Sequence, residues 1–280
     1  MTKKSYKFSY FPDDVMLKYR KLRATYGERD SDIYVSTYTR SGTTWVQTFL
    51  YQLTTDGNMD FDHIFDVSPW LYYSALRRVE PSYPPEPRIL KTHDDYNFYS
   101  DKPKGRFIYV IRDGKDIIVS FYHHRINVRG YEGTFEEHFN EFINNNNYNW
   151  FEHVKGWVEN KNHFPILYVK YESLKNDFEN EIKRIIDFCG ISINDSILKR
   201  TKERSSFSFM KKHAPQFGPK SNHFELTAKS KYIVRDPYIF IRNGLIGEGN
   251  MKLNNEQKNI FNKKFNETLG HLELVSEYGG

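Results

Sequence analysis

STYTRSGTTW, residues 36–45, decides how the rest of the chain is read. The β-branched run IYVST (33–37) leads into it and the amphipathic TTWVQTFLYQL leaves it, so a strand, a tight turn and a helix follow in succession. A helix that begins at Thr43 places the amides of Ser41 to Thr44 at its amino end, where unpaired N–H groups and the helix dipole favour an anion. Gly42 lets the backbone approach that anion closely. Thr43 and Thr44 add hydroxyl donors, Arg40 adds a permanent charge, and Trp45 offers a flat face suited to a purine. A nucleoside-triphosphate loop would instead end in Gly-Lys-Ser/Thr and share a magnesium ion with a carboxylate at a later strand end. No lysine precedes Thr43, and RILKTHDD and FIYVIRDG reach a base or a cation before any carboxylate. The turn therefore reads as an anion site made of protein donors alone, with no metal.

Three more short runs resemble the first strand: RILKT (88–92), RFIYVI (106–111) and PILYVK (165–170). Each is apolar on both faces, as strands of a helix-covered parallel sheet are. Helical patterns follow them, including DGKDIIVSFYHH and ESLKNDFENEIKRIIDFCG, the latter stopped by Gly190. Alternation of this kind predicts one α/β domain over residues 1–280, with a mostly parallel central sheet flanked by helices. Stretches 54–87, 126–149 and 212–253, rich in Pro, Asn or Gly, read as irregular segments able to serve as lids or substrate walls.

Two other strand ends supply chemistry. Arg112 follows FIYVI, and Ser120 lies about two turns into the next helix, so guanidinium and hydroxyl can share one phosphate. Lys91 and His93 end RILKTH, on the side of an α/β sheet where ligands bind. His93 is the general-base candidate because an unperturbed imidazole titrates near neutrality. Lys91 is open between a catalytic and a structural role. The ten histidines show no His-Glu-x-x-His spacing, and the pair at 123–124 reads as a helix end.

Bulk properties narrow the class. A net charge of +5 with no basic run fits a local anion site better than a nucleic-acid face. Aromatics at 17% of residues suit a chain with an apolar ligand pocket, and equally an aromatic core. The single cysteine, Cys189, allows no internal disulfide. MTKKSYKFSYFPDD has no apolar signal core, and FIYVI is too short to span a bilayer. The expectation is a cytoplasmic protein without membrane or nucleic-acid partners.

Taken together, these segments resemble the cytosolic sulfotransferases, which use 3′-phosphoadenosine 5′-phosphosulfate (PAPS) as sulfuryl donor. STYTRSGTTW is similar to that family's phosphosulfate loop, LKTH to the segment with its catalytic histidine, and YVIRDGKDIIVSFYHH to its 3′-phosphate segment. ILYVKYESL resembles the strand whose tyrosine, here Tyr171, approaches adenine. SSFSFMKK resembles the base-lining segment, giving Ser205, Phe207 and Met210, and IRNGLIGEG the late loop over the 3′-phosphate, giving Arg242, Asn243 and Gly244. By the same resemblance, residues near Phe11, Phe65 to Trp70, Phe121 to His124, Tyr148 to Trp150 and Phe240 are acceptor-pocket walls.

The chain departs from the pattern at Thr39 (proline in the family), Arg40 (lysine) and Asn243 (lysine). Arginine keeps the charge as a planar fork, whereas Asn243 removes one. The resemblance implies sulfuryl transfer to a hydroxyl or amine of a small-molecule acceptor, with His93 as base. Arg40, the loop amides and Lys91 would sit beside the leaving oxygen, and Ser120 would hold the 3′-phosphate or restrain the loop cation. A P-loop kinase or hydrolase and a non-catalytic nucleotide-binding module are the alternatives. The acceptor stays open, with Asp94 and Asp95 as a feature that would suit a cationic one, and the dimer signature of the family is absent, so no oligomeric state follows.

Overall fold

A computed structural model of the chain describes residues 13–99, 103–146, 148–160, 163–218 and 240–279. Four strands, β1 (Ile33–Thr37), β2 (Ile89–Thr92), β3 (Arg106–Ile111) and β4 (Ile166–Lys170), form one parallel sheet in the order β2-β1-β3-β4. The register sets Ser36 opposite Thr92, Thr37 opposite Val110 and Ile111 opposite Lys170, so the carboxyl ends of all four strands lie along one edge.

The period of two sorts the strand residues between two cores. Tyr34, Phe107, Tyr109 and Ile111 enter one, with α6 (Trp150–Glu159) and α12 (Asn255–Thr268) supplying Trp157, Phe261 and Phe265. Ile33, Val35, Ile108 and Val110 enter the other, against α2 (Thr43–Thr54) and α8 (Phe178–Cys189). Each such side chain taken from water contributes about 1.5–3 kcal/mol, which holds the strand ends in place. Below the sheet, the guanidinium of Arg88 meets the Asp32 carboxylate twice at 2.7 Å, both side chains being fully buried, and locks the starts of β1 and β2 together.

The remaining helices are α1 (Asp13–Tyr26), α3 (Leu71–Arg77), α4 (Gly114–Arg129), α5 (Phe135–Asn144), α7 (Tyr171–Asn176), α9 (Asp195–Arg204), α10 (Phe207–Lys212) and α11 (Glu248–Lys252). Four details differ from the sequence expectation. The helix expected after Tyr171 is two, because Asp177 turns out of the helix and its carboxylate caps α8 at the Asn180 amide. His123 and His124 lie inside α4, which runs on until Gly130 stops it. The stretch 54–87 contains α3, whose buried face packs on α1. The stretch 126–149 contains α5, begun by a reciprocal cap between Thr134 and Glu137. Of the third stretch, residues 219–239 lie outside the described residues.

Candidate active site

In a sheet of order 2-1-3-4 the chain departs in opposite directions from β1 and β3, and the crevice at their carboxyl ends is where such folds bind ligands. Arg40 to Thr43, Arg112 and His93 all emerge there. All but Ser41 line one cavity of about 960 Å³, large enough for two small molecules side by side.

The anion turn is held by its neighbours. Gly42 has φ +94°, and a Cβ on it would come within 2.8 Å of the Tyr171 ring, so only glycine fits the position on both counts. Arg40 also has positive φ, and its Nε donates to Ser120 Oγ at 3.2 Å. Burial, then the neighbouring Arg112 and Arg242, push its guanidinium down to about 10. Arg112 and Arg242 have acidic partners behind them, Asp116 and Glu248, but neither acid lines the cavity, so the charged groups facing it at this end are all positive and suit an anion.

Arg112 extends from the end of β3 across the Tyr171 ring, 4.4 Å from its centroid, and donates to the Arg40 carbonyl at 3.2 Å and the Leu245 carbonyl at 2.8 Å. It also meets the Asp116 carboxylate, four residues on in the first turn of α4, at 3.5 Å. Fully buried Asp116 also accepts the amides of Gly247 at 3.0 Å and Gly249 at 2.8 Å. Gly249 is required for that approach, because a Cβ there would lie 2.3 Å from the Lys115 backbone. Asp116 thus moors the segment that carries Arg242, Asn243 and Gly244. Within it, Arg242 is paired with Glu248, and Asn243 Nδ2 donates to the same carboxylate at 2.9 Å. Burial would raise the Glu248 carboxyl, but these two donors hold it below its ordinary value.

His93 is fixed by the first strand. Its Nδ1 donates to the Thr37 carbonyl at 2.8 Å, with Thr37 Oγ1 at 3.2 Å, which leaves Nε2 as the acceptor nitrogen of the ring. Thr37 Oγ1 lies 2.7 Å from Thr43 Oγ1, so one strand residue ties the imidazole to the start of the anion helix. Burial, and after it Lys91, hold the imidazole well below its ordinary pKa, keeping it neutral at pH 7. Lys91 lies over the Trp70 and Phe65 rings, 4.4 and 5.1 Å from their centroids, and burial followed by Arg40 lowers its amine to about 7.

Beyond Tyr171, Trp45 stacks on Phe178 and donates its indole N–H to the Ser205 carbonyl at 2.9 Å. Phe207 and Met210 of α10 line the same end, and Tyr171 Oη donates to the Gly244 carbonyl at 3.2 Å.

A sulfotransferase-domain model matches residues 30–273 of the chain. The chain belongs to the sulfotransferase family. Sulfotransferase 1B1 of Mus musculus is 33% identical over 234 residues, covering 78% of this chain and 75% of its own length. The amine sulfotransferase of Oryctolagus cuniculus is 29% identical over 257 residues, covering 88% and 83%. Among solved structures, mouse SULT7A1 complexed with PAP superposes with a TM-score of 0.71 at 23% identity, covering 96% of this chain and 95% of its own. Retinol dehydratase in a complex with retinol and PAP does so with 0.71 at 20%, covering 93% and 87%. These two share the fold. The chain is a PAPS-dependent sulfotransferase with a small-molecule acceptor, and the kinase or hydrolase reading is not favoured.

The sulfotransferase site brings together nearly every residue expected of it. Arg40, Gly42, Thr43, Thr44, Trp45, Lys91, His93, Arg112, Ser120, Tyr171, Ser205, Phe207, Met210, Arg242, Asn243 and Gly244 line the one cavity, and Ser41 lies just behind with its side chain buried. Of the expected pocket walls, Phe65, Trp70, His124 and Phe240 line it, whereas Trp150 is core and Phe11 lies outside the described residues. Asp94 does not face the cavity: its carboxylate accepts the Tyr19 and Tyr99 hydroxyls at 2.5 and 2.9 Å. Sequence reading missed Thr37, Asp116 and Glu248. Only Asp116 had a local signal, an acid four residues beyond Arg112 at the start of the following helix. Among the described residues, no cluster of metal-ligating side chains occurs, and no helix is long and apolar enough to cross a membrane.

Proposed function

We propose that this sulfotransferase moves the sulfuryl group of PAPS onto a hydroxyl or amine of its acceptor, with His93 as general base. What carries the reading is one juxtaposition: a neutral, tautomer-fixed imidazole and an anion turn flanked by Arg40, Arg112 and Arg242, facing one cavity and joined through Thr37. The donor fits this end in a further respect. Arg112 Nε, Ser41 Oγ and Ser205 Oγ are buried with no partner among the described residues, so unmet donors are ready for oxygens.

Bound, PAPS supplies an electrophilic sulfur and a phosphate leaving group. Arg40 and the amides of Ser41 to Thr44 hold the phosphosulfate and stabilise charge on the bridging oxygen as its bond to sulfur breaks. His93 Nε2 takes the acceptor proton as the new bond to sulfur forms. Lys91 stands between the two groups and adds charge there when protonated. Arg112, Ser120, Arg242, Asn243 and Gly244 hold the 3′-phosphate, with Ser120 also restraining Arg40 through the observed bond. Trp45, Tyr171, Ser205, Phe207 and Met210 take the adenine. The working compartment is the cytoplasm, a reading supported by the lone buried Cys189 and by the resemblance of the motifs to cytosolic sulfotransferases.

The test is transfer of labelled sulfate from PAPS to a panel of phenols, alcohols and amines in the presence of a magnesium chelator. Labelled product, with release of 3′-phosphoadenosine 5′-phosphate (PAP), is the expected result. PAP binding no tighter than AMP binding would overturn the donor assignment.

A further inference from the structure

The first turn of α4, which follows Arg112, is bonded to three other segments. Asp116 accepts the Gly247 and Gly249 amides, as described above. The Asp113 amide donates to Glu172 Oε1 at 3.2 Å, and Lys115 Nζ donates to the Tyr278 carbonyl at 2.9 Å. Glu172 and Tyr278 are themselves joined, because the Tyr278 hydroxyl donates to Glu172 Oε2 at 2.6 Å. Burial, followed by Glu172, raises the pKa of that hydroxyl, so it stays a donor to the carboxylate. One residue earlier, Glu277 pairs with Lys170 at 2.6 Å.

The segment Glu273–Gly279 thus sends its polar bonds to residues beside the donor side chains. Lys170 and Glu172 flank Tyr171, and Lys115 lies three residues after Arg112. Packing alone would hold the segment, since Val275 and the Tyr278 ring are buried in the core. That packing does not call for a hydroxyl on Tyr278, nor for its meeting the acid next to Tyr171. The ladder between β3 and β4 ends at the pair Ile111 and Lys170. Beyond it the backbone enters α4 on one side and α7 on the other, and the Glu172 carboxylate spans the two through the Asp113 amide. At this junction the Arg112 guanidinium lies over the Tyr171 ring.

We propose that Glu172 and Tyr278 are positioning residues for the donor, forming a clasp that seats Arg112 on Tyr171 to receive the 3′-phosphate. Neither residue lines the cavity, so both act through Arg112. The inference rests on the donor assignment above and extends it to a segment outside the cavity wall.

The ratio of PAP to AMP affinity isolates the 3′-phosphate, because a displaced Tyr171 weakens both nucleotides alike. Calorimetry on the full chain gives that ratio for each variant. Tyr278→Phe keeps the packed ring and removes one hydroxyl, and it should lower the ratio about fivefold, the order of one hydrogen bond. Glu172→Ala should lower it further. Glu172→Gln should restore most of it, since an amide keeps an oxygen for Asp113 and can donate to the Tyr278 oxygen. In an Arg112→Ala background Tyr278→Phe should have no further effect on the ratio, a coupling that a packing role alone would not show. A ratio unmoved by Tyr278→Phe, no rescue by Glu172→Gln, or the same drop with Arg112 already removed would each overturn the clasp and leave the donor assignment standing. An unchanged ratio in Arg112→Ala itself would strike the donor assignment on which the clasp rests.

Discussion

The donor end and the acceptor end of the cavity are built in different ways. At the donor end three key side chains are tied to backbone: Arg112 to the Arg40 and Leu245 carbonyls, Trp45 to the Ser205 carbonyl, Tyr171 to the Gly244 carbonyl. At the acceptor end the side chains are positioned by ring packing, as with Lys91 over Trp70 and Phe65, and Trp70 edge-on to His93 at 5.2 Å. Backbone ties fix a geometry for one ligand. Ring packing fixes a shape and leaves the polar chemistry to a few residues.

The sharpest way to break this contrast is a pair of substitutions, one per end. His93→Ala should lower kcat by about 10²–10⁴-fold, the usual worth of a general base. PAP affinity should stay within about threefold, because His93 is bonded to Thr37 rather than to the donor-end arginines. Arg112→Ala should do the reverse, weakening PAP by roughly 10–100-fold through lost charge-assisted bonds. The weakening should be much smaller for adenosine 5′-phosphosulfate, which lacks the 3′-phosphate. Calorimetry with both nucleotides and steady-state rates with both variants decide it. Equal losses of kcat and PAP affinity in His93→Ala would show that the two ends are not separable.

How much of this was legible in the sequence follows the same division. The donor end is written locally, because a strand end, a turn and a helix start are consecutive in the chain. STYTRSGTTW therefore displays the whole anion turn within one segment, and all four strands could be read from β-branched runs. Thr37 escaped because its role is a carbonyl aimed at a residue 56 positions away. Glu248 escaped because its partners, Arg242 and Asn243, looked like ligand-binding residues in their own right. The acceptor chamber is assembled from α1, α3 and α4, which are distant in sequence, and α3 was hidden in a proline-rich stretch. No motif marks its lining, because only the packing of the three helices brings those residues to the cavity.

A smaller effect sharpens the boundary between the ends. Lys91 has a folded-state amine near 7, against about 10.5 unfolded, so between those values the unfolded chain binds more protons and the contribution of this site to stability rises with pH. PAPS works in the opposite direction, since its phosphosulfate next to Lys91 favours the ammonium. PAPS binding above pH 7 should therefore take up a proton, and affinity should fall by up to roughly tenfold from pH 7 to pH 9. Calorimetry in buffers of different ionisation enthalpy reads that proton directly. Lys91→Met should abolish the uptake and flatten the pH profile. A pH-independent affinity in the unsubstituted chain would place Lys91 outside the donor's field and assign it to the acceptor end alone.

The weakest expected effect concerns Asn243, where relatives by resemblance carry a lysine. Asn243 gives its amide hydrogen to Glu248, and Arg242 is paired with the same carboxylate, so Glu248 is already neutralised before any phosphate arrives. An ammonium introduced by Asn243→Lys would find that carboxylate partly satisfied and would direct its charge to the 3′-phosphate instead. The group is partly exposed, however, and solvent screens such a charge to a gain of about 0.5–1 kcal/mol. The expected result is PAP binding tighter by roughly two- to fivefold at low salt, vanishing near 0.5 M salt, with kcat and acceptor KM unchanged. If Asn243→Lys instead weakened PAP, the Glu248 carboxylate would have to be pairing with the new lysine and releasing Arg242. Glu248→Gln in the same background then separates the two cases, because it removes the competitor and restores the gain only if competition was the cause.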